Sequence, residues 1–207
     1  MNTLYNVSST ETDIPCAKNS ETGVSVDYIP TETKEWYVFR ASYGREDIAY
    51  NIIVEDGTYC YIAKRYNKNR QEKKIQNLLP NIIFVYTTRE KAEEYIKHTD
   101  SLSFLTYYYN HFTEVDGKNP PLVVPRKEME NFIRATASMN EHIMFVNPEQ
   151  CHYRSGDIVR VTQGIFKGVE GRVARVAGQT RVVIEVSGIG LISTAYVPMG
   201  CMEVVTV

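Results

Sequence analysis

After residue 156 the chain alternates short apolar runs with glycines, and this pattern limits the fold of the carboxyl-terminal part more than any other feature. The runs VRV, RVARV, RVVIEV and AYV follow the alternation of a β-strand. Glycines at 164, 168, 171, 178, 188, 190 and 200 separate these runs and suit tight turns. Short alternating strands with glycine turns at close intervals predict a small β-barrel over residues 151–207.

Residues 35–138 show a different pattern of hydrophobic residues. Aromatic and β-branched side chains cluster in short segments, which predicts strands. These segments are residues 36–41, 58–63, 82–86 and 101–109. Apolar residues at helical spacing predict helices over residues 45–55, 89–98 and 125–138. The resulting order βαββαβα predicts an α+β fold, with an antiparallel or mixed sheet and helices packed on it.

Two segments lack both patterns. Residues 1–34 are rich in Ser, Thr, Asn and Glu, and residues 1–35 hold six acids against two lysines, so a disordered acidic tail is predicted. Residues 139–150 contain Asn147-Pro148, which breaks regular structure, and are predicted to be a linker.

Composition favours an ordinary globular protein without a reactive centre. Hydrophobic residues make up 43% of the chain, and its longest apolar runs are too short to cross a bilayer, so a cytoplasmic protein without membrane contact is expected. Four cysteines, at 16, 60, 151 and 201, form no C-x-x-C pair, and no nucleophile, P-loop or dinucleotide motif occurs. We therefore expect no enzyme, no catalytic residue, no metal and no cofactor.

The segment GDIVRVTQGIFKGVEGRVARV, at residues 156–176, resembles the KOW motif position by position. The resemblance implies a five-stranded, SH3-like barrel that contacts RNA or proteins. Phe166 and Lys167 are expected at a loop tip, and together with Arg172 they are the candidates for contact with a partner. That partner is expected to be RNA, a ribosomal protein or a termination factor, and the family resemblance favours a protein.

Three upstream motifs resemble the amino-terminal domain of the NusG family, in the right order and spacing. They are WYVFRASYGRE from residue 36, LLPNIIFVY at 78–86 and LSFLTYYY from residue 102. The resemblance implies an α/β sandwich over residues 35–138 that docks on RNA polymerase. LLPNIIFVY, DGKNPPL at 116–122 and PEQCHYRSGDIVRV from residue 148 look closer still to the UpxY-type paralogs. Those are operon-specific antiterminators of capsular polysaccharide synthesis in Bacteroides-like bacteria.

In the NusG family an apolar depression of the first domain binds the clamp coiled coil of the polymerase. Carried over by motif position, the docking candidates are Trp36, Tyr37, Leu79, Pro80, Ile82, Phe84, Leu102, Leu105 and Tyr107. Because strand residues alternate faces, they cannot all point outward. Ile82 and Phe84 share a face, with Leu79 and Tyr107 at its rim, and either a docking surface or a packed core explains that pair.

Basic residues are concentrated between positions 64 and 74, where six bases stand against one acid. The candidates for contact with non-template DNA or nascent RNA are Arg40, Arg45, Lys64, Arg65, Lys68, Arg70, Lys73 and Lys74. A charge run is also typical of a solvated hairpin tip, so both interpretations stay open.

Together these observations predict a monomeric regulator of transcription elongation and antitermination. Its first domain docks on RNA polymerase, and its barrel recruits a further partner. A ribosome- or RNA-associated KOW module is the alternative, and it predicts binding to structured RNA without polymerase.

Overall fold

The computed structural model describes residues 14–67 and 74–205, except for the side chains of residues 154–157. Its helices are α1 (Glu46–Glu55), α2 (Arg89–Lys97) and α3 (Arg126–Thr136). Its strands up to α3 are β1 (Ala17–Lys18), β2 (Ser25–Val26), β3 (Glu35–Ala41), β4 (Tyr59–Tyr61), β5 (Lys64–Tyr66), β6 (Ile75–Asn77), β7 (Ile82–Thr87), β8 (Leu105–Tyr107) and β9 (Val123–Val124). The later strands are β10 (Met144–Val146), β11 (His152–Val161), β12 (Glu170–Val176), β13 (Gln179–Val186), β14 (Gly190–Tyr196) and β15 (Met202–Val204).

The predicted mixture of helices and strands is confirmed, and the helices at 45–55, 89–98 and 125–138 lie where their spacing predicts. Residues 101–109 were predicted to form one strand, but only Leu105–Tyr107 is a strand. A single 3-10 turn, Asp100–Leu102, precedes it. Within the described residues no helix is long and apolar enough to span a membrane.

The first sheet is antiparallel, has the order β4-β7-β3-β8, and is extended by β9 on β3. Its register places Val38 beside Phe84 and Phe84 beside Tyr61, so these three side chains share one face. Helix α3 covers that face, where the Phe132 ring centroid lies 5.4 Å from that of Phe84. Helix α1 covers the opposite face, since Cys60 alternates with Tyr61 and contacts the Tyr50 carbonyl.

The prediction of a disordered tail over residues 1–34 is wrong for residues 14–34. Strands β1 and β2 form a hairpin, and the Asn19 side chain donates to the Asn51 carbonyl of α1 at 3.0 Å. The chain then buries Tyr28, whose ring lies 5.6 Å from Trp36 and 4.9 Å from Tyr86. A few contacts therefore order this segment: the hairpin pairing, the Asn19 bond and the buried Tyr28 ring. The average composition of the segment is polar and does not report them.

The second sheet has six antiparallel strands in the order β10-β14-β13-β12-β11-β15. Its first strand, β10, lies inside residues 139–150, which were expected to be a linker, and pairs Phe145 with Ile192. The segment is too short for its alternation to stand out, and it gains its backbone partners only from β14. Helix α3 contacts β13, so it lies between the two sheets.

Replacing Tyr28 by alanine tests whether the amino-terminal hairpin belongs to the core. Tyr28 is 7% exposed, and loss of a buried aromatic side chain costs about 3–5 kcal/mol, so we expect the free energy of unfolding to fall by roughly that amount. The neighbouring Ile29→Ala is the control, because Ile29 is 69% exposed and its loss should change stability by less than about 0.5 kcal/mol. Equal stability of the two variants in urea titrations would contradict the packing described.

Candidate functional site

An open apolar groove of about 480 Å³ lies where β7 begins. Its lining consists of Arg40, Leu78, Leu79, Pro80, Asn81, Ile82, Tyr108, Phe145 and Ile189. Ile82 and Leu79 are half-buried, Phe145 is 45% exposed, and Arg40 is the only cation among the described residues of the lining. A groove of this kind suits the apolar face of a partner element, with a carboxylate placed at Arg40.

A buried polar network holds the turn that carries Leu79 and Pro80. The Glu46 carboxylate, 4% exposed, accepts hydrogen bonds from the Asn77 side chain at 2.6 Å and from the Asn81 amide at 3.2 Å. Asn81 has a φ of 63°, a left-handed conformation that asparagine tolerates better than most residues. Its carbonyl accepts from the Ala41 amide and its side chain from the Gly44 amide, both at 2.9 Å. The groove wall is therefore fixed before any partner arrives.

The structure brings three predicted docking residues, Leu79, Pro80 and Ile82, into this groove. The other predicted docking residues lie elsewhere. Phe84, Leu102, Leu105, Trp36 and Tyr37 are buried, and Tyr107 is half-buried.

The prediction that Phe84 is a docking residue is wrong, because Phe84 is fully buried and the packed-core interpretation holds for it. The two side chains do point to the same face of the first sheet, but α3 covers that face at position 84 and leaves position 82 open. Leu102 and Leu105 are at most 1% exposed and belong to the core. Tyr107 packs on Phe39, with ring centroids 5.5 Å apart, and burial raises its pKa to about 12.

Five lining residues were missed by the sequence prediction: Leu78, Asn81, Tyr108, Phe145 and Ile189. Phe145 lies in the segment expected to be a linker, and Ile189 lies in the turn between β13 and β14 of the second sheet. Their place in the groove depends on how the second sheet packs on the first, and no local pattern reports that packing.

Some of the basic residues predicted to contact nucleic acid are exposed, whereas others are already bound by groups of the protein itself. Arg40 and Lys74 are exposed. Lys64 forms an ion pair with Asp47 at 2.6 Å, and the Arg65 guanidinium donates to the Ile143 carbonyl at 2.8 Å. Strands β5 and β6, which were not predicted, pair antiparallel. Lys68, Arg70 and Lys73 lie outside the described residues.

Tyr43, which is exposed, and Arg45, which is half-buried, form an aromatic and cationic surface next to Asn81 of the groove lining. Tyr43 is 92% exposed and has a φ of 61°, which is uncommon for a bulky residue. The Arg45 guanidinium lies 4.1 Å from the Phe104 ring centroid and 5.7 Å from that of Tyr43, and its Nε donates to the Ser42 carbonyl. Such a surface can stack a nucleobase and donate to its edge.

In the second sheet the expectation for Phe166 is wrong, whereas Lys167 and Arg172 are exposed. Phe166 is 4% exposed, because the turn closed by Lys167 N–H to the Gly164 carbonyl directs its ring inward. The neighbouring Ile165 is 61% exposed and occupies the tip instead. Over residues 14–67 and 74–205, no group of three potential metal ligands is present.

Comparison with known proteins adds the family. The family model described as Transcription termination factor nusG matches residues 34–133. These residues form a NusG family domain. The match supports membership of the NusG family, whose members are non-enzymatic transcription factors that generally bind RNA polymerase. It includes the first sheet and the groove residues up to Tyr108, and it ends before Phe145 and Ile189. The search of curated proteins gave no match.

Replacing Asn81 by alanine tests whether the buried network holds the groove wall. We expect the free energy of unfolding to fall by about 2 kcal/mol. Alanine is strained in the left-handed conformation, and it lacks the side-chain oxygen that accepts the hydrogen bond from the Gly44 amide. Asn81→Gly removes the same side chain but tolerates the backbone angle, so it should recover about half of that loss. Wild-type stability of Asn81→Ala in a denaturant titration would show that the turn is not constrained as described.

Proposed function

We propose that the chain is an operon-specific regulator of transcription elongation and antitermination that docks on RNA polymerase through the apolar groove. The observation that carries the proposal is the convergence of Leu79, Pro80 and Ile82 on one open groove of a NusG family domain. The occupant we propose is the clamp coiled coil of the polymerase. A helical surface with apolar side chains and one carboxylate would fill the groove and pair with Arg40.

The finer assignment, an UpxY-type paralog acting on a capsular polysaccharide operon, is supported by three motifs. These are LLPNIIFVY, DGKNPPL and PEQCHYRSGDIVRV. Chromatin occupancy of the tagged protein tests it: enrichment confined to one long operon supports a specialised regulator, and enrichment over all transcribed genes would contradict it.

For the second sheet we propose a KOW module that recruits a ribosomal protein or a termination factor. Ile165, Lys167 and Arg172 are exposed, and a combination of apolar and cationic side chains suits a protein partner. The exposed cations also fit the alternative of an RNA-associated module. Recovery of polymerase subunits with the full chain supports the regulator, whereas recovery of ribosomal RNA alone supports the alternative.

Ile82→Ala is the direct test of docking. We expect its affinity for RNA polymerase to fall about tenfold or more, because truncation of an anchor in an interface typically costs about 2 kcal/mol. Stability should change little, since Ile82 is only half-buried. Ile29→Ala removes an exposed isoleucine outside the groove and should bind as the wild type does. Equal affinity of the two variants in a titration with polymerase would refute docking at this groove.

Beside the groove we propose that the exposed non-template strand stacks on Tyr43 and accepts hydrogen bonds from Arg45. Stacking of one base on an aromatic side chain contributes about 1–3 kcal/mol, so Tyr43→Ala should weaken binding of single-stranded DNA by about tenfold. Tyr196→Ala is the matched control, because Tyr196 is also an exposed tyrosine, 55% exposed, on the second sheet. If the two variants bind a fluorescent oligonucleotide equally, base stacking at Tyr43 is wrong.

A further inference from the structure

The second sheet packs on the outer side of α3 through specific hydrogen bonds. The Asn131 side chain makes two hydrogen bonds with the backbone of Glu170: its Oδ1 accepts from the amide at 2.8 Å, and its Nδ2 donates to the carbonyl. One turn of helix away, the Glu128 carboxylate accepts from the Ser187 amide at 2.8 Å and from the Ser187 hydroxyl at 3.0 Å. Backbone groups of the second sheet are thus satisfied by side chains of α3.

One ion pair also crosses this interface: Lys127 of α3 lies 3.6 Å from the Glu170 carboxylate. Arg160, on the neighbouring strand of the second sheet, pairs with the same carboxylate at 2.6 Å. Partial burial opposes ionisation of Glu170, but Arg160 and Lys127 outweigh that effect, so the pKa of Glu170 is lowered. Glu170 therefore stays charged at neutral pH, which keeps both ion pairs in place.

A glycine turn inserts between the two sheets at the groove. Residues 187–190, here called the 187–190 turn, join β13 to β14, and Gly188 has a φ of 76°. A Cβ atom at Gly188 would lie 2.4 Å from Cδ1 of Leu122, a buried residue of the first sheet's edge. A Cβ atom at Gly190 would lie 2.5 Å from the Phe145 ring. A side chain at either position would therefore require the Leu122 or the Phe145 side chain to move.

This packing sets the position of Phe145 and Ile189, two residues of the groove lining. Ile189 belongs to the 187–190 turn, and the Phe145 ring lies directly on Gly190. The opposite wall, with Leu79, Pro80 and Ile82, comes from the first sheet. The groove therefore exists in this form only while the second sheet stays docked on α3.

We propose that the second sheet is part of the polymerase-docking surface: docked on α3 through Asn131, Glu128 and the 187–190 turn, it supplies Phe145 and Ile189 as one wall of the groove. This inference rests on the proposed function. The two sheets then act as one binding unit toward the polymerase, with the second sheet free to contact a further partner through its far side. The occupant is the same helical, partly acidic surface that Arg40 favours.

Gly188→Ala in the full chain tests the inference, and Gly178→Ala is its matched control. Both glycines have a left-handed φ, 76° and 79°, but a Cβ atom at Gly178 meets nothing within 4 Å. Because Leu122 is buried and its side chain has little room to move, Gly188→Ala should add a displacement of the two sheets to the shared backbone strain. Residue-resolved amide exchange reports it, because the Glu170 and Ser187 amides donate to side chains of α3. We expect exchange at these two amides to rise about tenfold in Gly188→Ala and to stay unchanged in Gly178→Ala.

Affinity for RNA polymerase is the second readout, with Phe145→Ala as a variant that removes the wall without moving the sheets. We expect Gly188→Ala and Phe145→Ala each to bind about tenfold more weakly than wild type. Phe112→Ala, which removes an 87% exposed phenylalanine outside the groove lining, should bind normally.

The outcomes separate this inference from the proposed function. If Ile82→Ala binds more weakly while Gly188→Ala and Phe145→Ala bind as wild type, polymerase docking stands and the contribution of the second sheet is refuted. Tighter binding by Gly188→Ala would also overturn the inference, since the docked sheet would then obstruct the groove. Unchanged binding by Ile82→Ala would refute the proposed function itself.

Discussion

Helix α3 is the element on which the arrangement depends, because it packs on a sheet on each side. Its inner side places Phe132 against Phe84, which closes the core of the first sheet. Its outer side satisfies backbone groups of Glu170 and Ser187 in the second sheet. Since α3 covers the first sheet at Phe84 but not at Ile82, it also decides where the apolar surface stays open. One amphipathic helix therefore sets both the core and the groove.

Local patterns were enough to predict most of the elements. The helices and the strands β3 and β7 follow from side-chain period and composition, which act over a few residues. Tyr28 and β10 could not be found in this way. Tyr28 packs on the rings of Tyr59 and Tyr86, which are far away in sequence, and β10 is a strand only because β14 supplies its hydrogen bonds. Burial of this kind is a property of tertiary packing.

In the candidate site, too, some residues could be predicted from the sequence and others depend on tertiary packing. Leu79, Pro80 and Ile82 followed from motif position, and the structure brings them together. Sequence alternation placed Phe84 on the correct face but could not show that α3 covers it. The predicted basic contacts Lys64 and Arg65 are held by Asp47 and by the Ile143 carbonyl, partners that no charge count reveals. Phe145 and Ile189 enter the groove only through the packing of the second sheet.

A photo-reactive amino acid placed at residue 82 of the full chain, in transcribing cells, tests polymerase docking most directly. Residue 82 lines the groove, so a partner seated there lies within reach of a short cross-linker. Cross-links to the clamp coiled coil of RNA polymerase are the predicted result, and the same probe at exposed residue 29 should give none. Cross-links at residue 82 that lack polymerase, or that match those from residue 29, would contradict docking through this groove.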